Sequence, residues 1–225
     1  MGTLSVVSTP IGNLGDITVR ALETLRGVDV IACEDTRVTA KLLARYAIKK
    51  PLLIFHARNA RAGGARVLAL LREGKHIALV TDAGTPGISD PGSELVARVR
   101  GACPDARIEA VPGASALTAA LSIAGVPISS FVFLGFLPHK KGRETLFAEI
   151  ASAARTYIFY ESPHRIGKTL ASLMDTLSSE RRVVVARELT KVHESVIAGT
   201  ATEVADYFIR HPDEVRGEFV VIVSP

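Results

Sequence analysis

The sequence predicts an α/β protein with a mostly parallel N-terminal α/β domain and a mixed-sheet C-terminal α/β domain. Three observations carry this. Short β-branched runs alternate with helix-period segments through the first half of the 225 residues, the pattern of right-handed strand–helix–strand crossovers. Three loops unusually rich in glycine and proline follow strands in that half. Beyond the Pro112–Gly113 turn the alternation loosens, as in a mixed sheet. The expected boundary lies near residues 113–117, giving domains 1–114 and 115–225 without a flexible linker.

In the first domain, Leu4–Ser8, Val28–Cys33, Leu52–His56, Ile77–Thr81 and Ile108–Val111 read as strands. Helical stretches lie between them near Val19–Leu25, Val38–Tyr46, Ala65–Arg72 and Glu94–Val99. Asp90 is a candidate N-cap, with Pro91 as the first helical residue. A small-residue helix over Ala114–Ala124 leads into the second domain. Its strands are expected at Phe131–Phe136, Thr156–Tyr160, Val183–Glu188 and Phe219–Val223. A helix over Pro163–Leu177 places Ile166, Leu170, Leu173, Met174 and Leu177 on one face, which reads as core.

Composition bounds the function. Hydrophobic residues at 48% and charged residues at 22% fit a folded core rather than a disordered chain. Aromatic residues are only 5% and Trp is absent, which disfavours binding by rows of stacked rings. A net charge of +4 suits an anionic partner such as RNA and equally a solvated basic face. Cys33 and Cys103 form no C-x-x-C pair, so neither a zinc site nor a disulfide scaffold is expected. The most apolar segment, Ala116–Ile128, is interrupted by Thr118, Ser122, Gly125 and Pro127 and falls short of the ~18 apolar residues of a membrane span. The start of the sequence lacks the features of a signal peptide, so the expected compartment is the cytoplasm.

The three loops are STPIGNLGD (Ser8–Asp16), DAGTPGISDPG (Asp82–Gly92) and VPGASA (Val111–Ala116). Any one could be ordinary turn chemistry. Three at the carboxyl ends of strands in one parallel sheet would converge on one rim, where open α/β sheets bind ligands. None matches G-x-x-x-x-G-K-[ST], and no G-x-G-x-x-G follows a strand, so a P-loop or ordinary dinucleotide enzyme is not supported. The loops by themselves specify only a small molecule with polar ends.

Seven ordered motifs go further. TPIGNLGDIT (Thr9–Thr18), EDTR (Glu34–Arg37), DAGTPGISDPG, VPGASA, FYESPHRI (Phe159–Ile166), ARELTKVHE (Ala186–Glu194) and GEFVVIV (Gly217–Val223) together resemble the ribosomal RNA small-subunit methyltransferase I family of the tetrapyrrole-methylase superfamily. The resemblance implies a homodimer of tetrapyrrole-methylase fold that binds S-adenosyl-L-methionine, without metal, in an interdomain cleft. It implies methyl transfer to the ribose 2'-hydroxyl of a decoding-centre cytidine in small-subunit ribosomal RNA or the assembled subunit. By motif position, Pro10, Ala83, Gly84, Thr85, Ile88, Ser115 and Ala116 would line the cofactor, and Glu161 and Ala186 would close it. Members of the family usually continue past GEFVVIV with a short helical extension, whereas this sequence ends at Pro225.

Three questions stay open. Glu34 and Asp35 follow the second strand on the ligand rim; either is a candidate catalytic base, while Asp35 or Thr36 is equally a helix cap. Arg37, His164, Arg165 and Lys191 are candidate RNA contacts, with internal ion pairing or a solvated loop as the plainer role. A same-fold enzyme acting on a tetrapyrrole and a non-catalytic RNA-binding protein are the rival functions.

Overall fold

A computed structural model describes residues 1–225, which divide into two compact units, Met1–Ser115 and Ala116–Pro225. The first unit contains β1 (Thr3–Val7), α1 (Val19–Gly27), β2 (Val30–Cys33), α2 (Thr36–Arg45), β3 (Leu52–Ile54), α3 (Ala60–Arg72), β4 (His76–Leu79), α4 (Gly92–Ala102) and β5 (Arg107–Val111). Its strands lie in the order β3-β2-β4-β1-β5, and every pairing is parallel. Successive side chains go to opposite faces, as the pleat requires. Ile77 and Leu79 join one core with Val67, Leu71, Leu95 and Val99, while Ala78 and Val80 join the other with Ala21, Leu25 and Leu43. Helices thus cover both faces, which explains the nearly unbroken apolar strands.

Two local expectations need correction here. α4 starts one residue later than expected, with Pro91 in the cap position, but Asp90 still serves the helix start: its carboxylate accepts from the N–H of Gly92, the first residue of α4, at 2.7 Å, and from that of Gly87. α3 begins at Ala60, not Ala65. A reciprocal pair of bonds between His56 and Asn59 marks the entry to this helix. Gly63 and Gly64 are accommodated because the helix packs close to its surroundings; a Cβ on Gly63 would sit 2.8 Å from the Ile54 carbonyl oxygen.

The second unit contains α5 (Ala116–Ile123), β6 (Phe131–Phe136), α6 (Arg143–Ser152), β7 (Thr156–Glu161), α7 (Ile166–Thr176), β8 (Val183–Arg187), β9 (Ser195–Gly199), α8 (Ala201–Arg210) and β10 (Phe219–Val223). The sheet order is β6-β7-β10-β8-β9. Only β6–β7 is parallel; the other pairings are antiparallel, so the sheet is mixed as expected. Its core gathers Phe147, Ile150, Phe159, Leu170, Leu173, Val185, Phe208, Phe219 and Val221. Burying each such side chain contributes about 1.5–3 kcal/mol against the entropy of ordering.

The helix expected over Pro163–Leu177 starts three residues later, because residues 163–165 form a turn in which the N–H groups of Arg165 and Ile166 both bond to the Ser162 carbonyl. Met174, expected in the core, is 38% exposed. α6, β9 and α8 are elements beyond those expected from the sequence. In α6 only Phe147 and Ile150 are buried, so its apolar stripe is thin. α8 carries a full capping box between Thr200 and Glu203. No helix is long and apolar enough to cross a membrane.

Candidate active site

Because the first sheet is wholly parallel, the segments after β1, β2, β4 and β5 leave it at one edge. The three Gly/Pro loops are stitched together there. The N–H groups of Thr9 and Gly84 each bond to the other's carbonyl, at 2.9 and 3.1 Å. The Ser8 N–H bonds to the Val111 carbonyl at 3.0 Å. The Ser8 and Thr85 hydroxyls lie 2.9 Å apart, and Thr85 donates to the Ala114 carbonyl at 3.1 Å. Thr9 donates to the Thr81 carbonyl at 3.0 Å. Pro10 and Gly84 are buried in this seam, Thr85, Ser115 and Ala116 are half-buried, and Ala83 and Ile88 are exposed. Gly84 has φ +84°, and a Cβ there would stand 3.3 Å from Ile11 Cγ2 and 3.7 Å from the Ala114 oxygen. Glycine at this position allows both the left-handed backbone and the close approach.

The acids at the end of β2 separate into different roles. Asp35 is the N-cap of α2, accepting from the Arg37 N–H at 2.8 Å. The Arg37 guanidinium also grips it, with Nη2 at 2.6 Å from Oδ2. The bond from Arg37's side chain and that from its backbone hold Asp35 down to a pKa of about 2. Of the two roles open to Asp35, the cap is the one these contacts supply, and a carboxylate so stabilised binds a proton weakly. Glu34 is shifted the other way. Burial raises its pKa, the Asp82 carboxylate adds to the rise, and a bond from the Thr81 hydroxyl at 3.2 Å opposes it. Asp82 is raised as well, first by burial, although it accepts from the Asp35 N–H at 3.0 Å. Asp82 is a further acid at this rim beyond those expected from the sequence, and its position carries the same signal, since it follows β4 closely just as Glu34 follows β2.

The remaining expected residues are more occupied than the sequence suggests. Arg37 is exposed but neutralised by Asp35. Lys191 is bonded to Glu188 at 2.7 Å and Glu218 at 3.0 Å. Burial disfavours its charge, but these bonds outweigh burial and raise its pKa, so it stays a cation and not a proton acceptor. Arg165 is turned inward: its guanidinium bonds to the Leu137 carbonyl at 2.7 Å and pairs with Glu161 at 3.2 Å. These bonds engage its guanidinium within the second unit. The Glu161 carboxylate is fully buried, accepting from Thr169 at 2.7 Å and the Ser162 N–H at 2.8 Å. Ala186 lies buried in β8. His164 alone of the four candidate RNA contacts is exposed and without an acidic partner.

The fold and its looped rim define a methylase architecture: residues 3–205 match the family of Tetrapyrrole (Corrin/Porphyrin) Methylases. A solved structure of uroporphyrin-III C-methyl transferase from Thermus thermophilus, complexed with S-adenyl homocysteine, shares this fold at a TM-score of 0.67 and 18% identity, covering 99% of this chain and 97% of that one. A ribosomal RNA small subunit methyltransferase I of Synechocystis sp. is 49% identical over 100% of this chain and 79% of its own length. One of Thermotoga maritima is 45% identical over 100% of this chain and 99% of its own length. The chain belongs to the ribosomal RNA small subunit methyltransferase I family.

Proposed function

We propose that this enzyme uses S-adenosyl-L-methionine to methylate the ribose 2'-hydroxyl of a cytidine in small-subunit ribosomal RNA, with Glu34 as proton acceptor. The observation that carries the reading is a carboxylate of raised pKa at the strand-end rim on which the three stitched loops also lie. The rim suits the cofactor. Ala83 and Ile88 are exposed beside the buried Gly84, with the Thr85 hydroxyl next in the chain. An apolar bed edged by a few polar groups fits a ligand with a sulfonium-bearing chain and polar ends.

When bound, the cofactor supplies a methyl group on a sulfonium, whose departure as a neutral thioether requires no acid. The protein's tasks are to hold the hydroxyl oxygen in line, about 3–3.5 Å from the methyl carbon, and to accept its proton. Glu34 suits the second task, since its raised pKa brings it closer to a hydroxyl proton than an ordinary carboxylate. Thr81 orients it through the 3.2 Å bond. Asp82, bonded to the Asp35 N–H, places a second negative charge beside it. No step in this reading passes through a metal.

The test is to incubate purified 30S subunits and, separately, uroporphyrinogen with the protein and labelled cofactor, then to locate the label by mass spectrometry. Label on a cytidine ribose supports the reading. Label on the tetrapyrrole alone, or cofactor binding without transfer to RNA, would replace it with one of the rivals. The reading includes a cytoplasmic homodimer. Exposed Ile123, Ile128, Phe131 and Phe136 in the second unit support self-association, and light scattering checks it.

A further inference from the structure

We propose that the loop His139–Lys140–Lys141, after β6, is a docking point for the phosphate backbone of the RNA substrate. This rests on the RNA-methylating reading above and names where that substrate is gripped outside the reacting centre.

The topology comes first. β6 and β7 are the only parallel neighbours in the second sheet, so the loops at their carboxyl ends, residues 137–142 and 162–165, emerge side by side. The carboxyl ends of parallel strands are where open α/β sheets receive ligands. The two loops are also bolted together. Arg165 donates to the Leu137 carbonyl at 2.7 Å, and Arg143 donates to the Pro138 carbonyl at 3.3 Å and to Thr169 Oγ1 at 2.6 Å. Both guanidinium groups flank the buried Glu161 carboxylate, at 3.2 and 3.9 Å. Two cations on one carboxylate leave the base of the loop net positive. Such a buried knot is poor as a source of stability but well suited to fixing one loop conformation.

On this base stand His139, Lys140 and Lys141, all exposed, with His164 exposed on the neighbouring loop. Neither lysine has an acidic partner, unlike Arg37 and Lys191. Over residues 137–144 and 161–168, the five cations Lys140, Lys141, Arg143, Arg165 and Lys168 stand against two carboxylates, Glu144 and Glu161. Adjacent unpaired ammonium groups on a fixed loop suit a polyanion with closely spaced charges, and RNA phosphates are such a ligand.

The experiment is binding of 30S subunits by the wild type and by the Lys140→Ala/Lys141→Ala variant across a salt series, with cofactor affinity and thermal midpoint measured alongside. Both positions are exposed, so folding should survive. The expected result is a loss of RNA affinity of roughly ten- to thirtyfold at about 0.15 M salt, and a log–log salt slope shallower by about 1.4–1.8, as for two lost phosphate contacts. Cofactor affinity, thermal midpoint and the turnover rate at saturating 30S should be unchanged. An unaltered affinity and slope in a variant of an active wild type would overturn the proposal. A wild type that neither binds nor methylates 30S subunits would instead overturn the functional reading beneath it.

Discussion

Glu34 and Glu161 occupy comparable places, one just after β2 and one at the end of β7, each at the carboxyl edge of a parallel pairing. Their surroundings differ. Glu161 is fully buried and receives two guanidinium groups, a hydroxyl and a backbone N–H. Glu34 is half-buried, receives a single hydroxyl and faces the like charge of Asp82. The contrast teaches that a carboxylate supplied with every partner it needs holds structure, whereas one left short of partners keeps a raised pKa and can react.

The largest way to break this comparison is Glu34→Gln. The single-turnover rate should fall by roughly 10²–10⁴ while cofactor affinity survives. In the wild type the rate should rise with pH, with its midpoint above the ordinary 4.5, because the reactive form is the ionised one. The variant should lose that limb. A folded pKa raised above the unfolded one means that Glu34's contribution to stability is present below 4.5 and is lost as pH rises through the raised value. The variant should therefore be no less stable than wild type at neutral pH. An unchanged rate would return proton acceptance to solvent or to Asp82.

Glu161→Ala sharpens the other side. It leaves Arg143 and Arg165 without their shared counter-ion and should cost about 3–5 kcal/mol in denaturant unfolding. If the variant unfolds like wild type but binds cofactor poorly, Glu161 belongs to the ligand after all. Gly84→Ala is next in size. Its φ of +84° strains any L side chain by about 1–2 kcal/mol. The new Cβ would crowd Ile11 at 3.3 Å and make ordinary contact with the Ala114 carbonyl at 3.7 Å, within the seam between loops. Cofactor affinity in this variant must therefore be read by calorimetry on folded protein at low temperature.

Asp35→Asn should have the smallest effect, a lower thermal midpoint with the rate per folded molecule unchanged. Since Asp35 is held from the ordinary 3.8 down to about 2, its contribution to stability is complete above 3.8 and lost as pH falls toward 2. The midpoint difference between variant and wild type should shrink over that window. A rate loss matching that of Glu34→Gln would restore Asp35 as a catalytic partner.

Much of this was legible in the residues. Short β-branched apolar runs marked the five parallel strands, helix-period segments marked most helices of the first unit, and the Gly/Pro loops marked the strand-end rim. Short or weakly amphipathic elements escaped: α6 buries too few apolar residues to announce itself, and β9 alternates over only five residues at the edge of its sheet. The glycines in α3 hid its first turn, because a pattern reads glycine as a break while close packing can require it.

What the sequence by itself determined was the family, the two α/β units and the identity of the rim loops, because these follow from local periodicity, turn chemistry and ordered motifs. Only the tertiary structure decided which charges are free. Glu34 and Asp35 are neighbours in the chain, yet one is raised by burial beside Asp82 and the other lowered by Arg37. Arg165 and Lys140 read alike as cations, yet one is turned inward on Glu161 and the other stands in solvent. A charge takes its role from the partners the folded chain sets around it: Arg37 and Glu161 lie within a turn of Asp35 and Arg165, whereas Thr81 reaches Glu34 from 47 residues away.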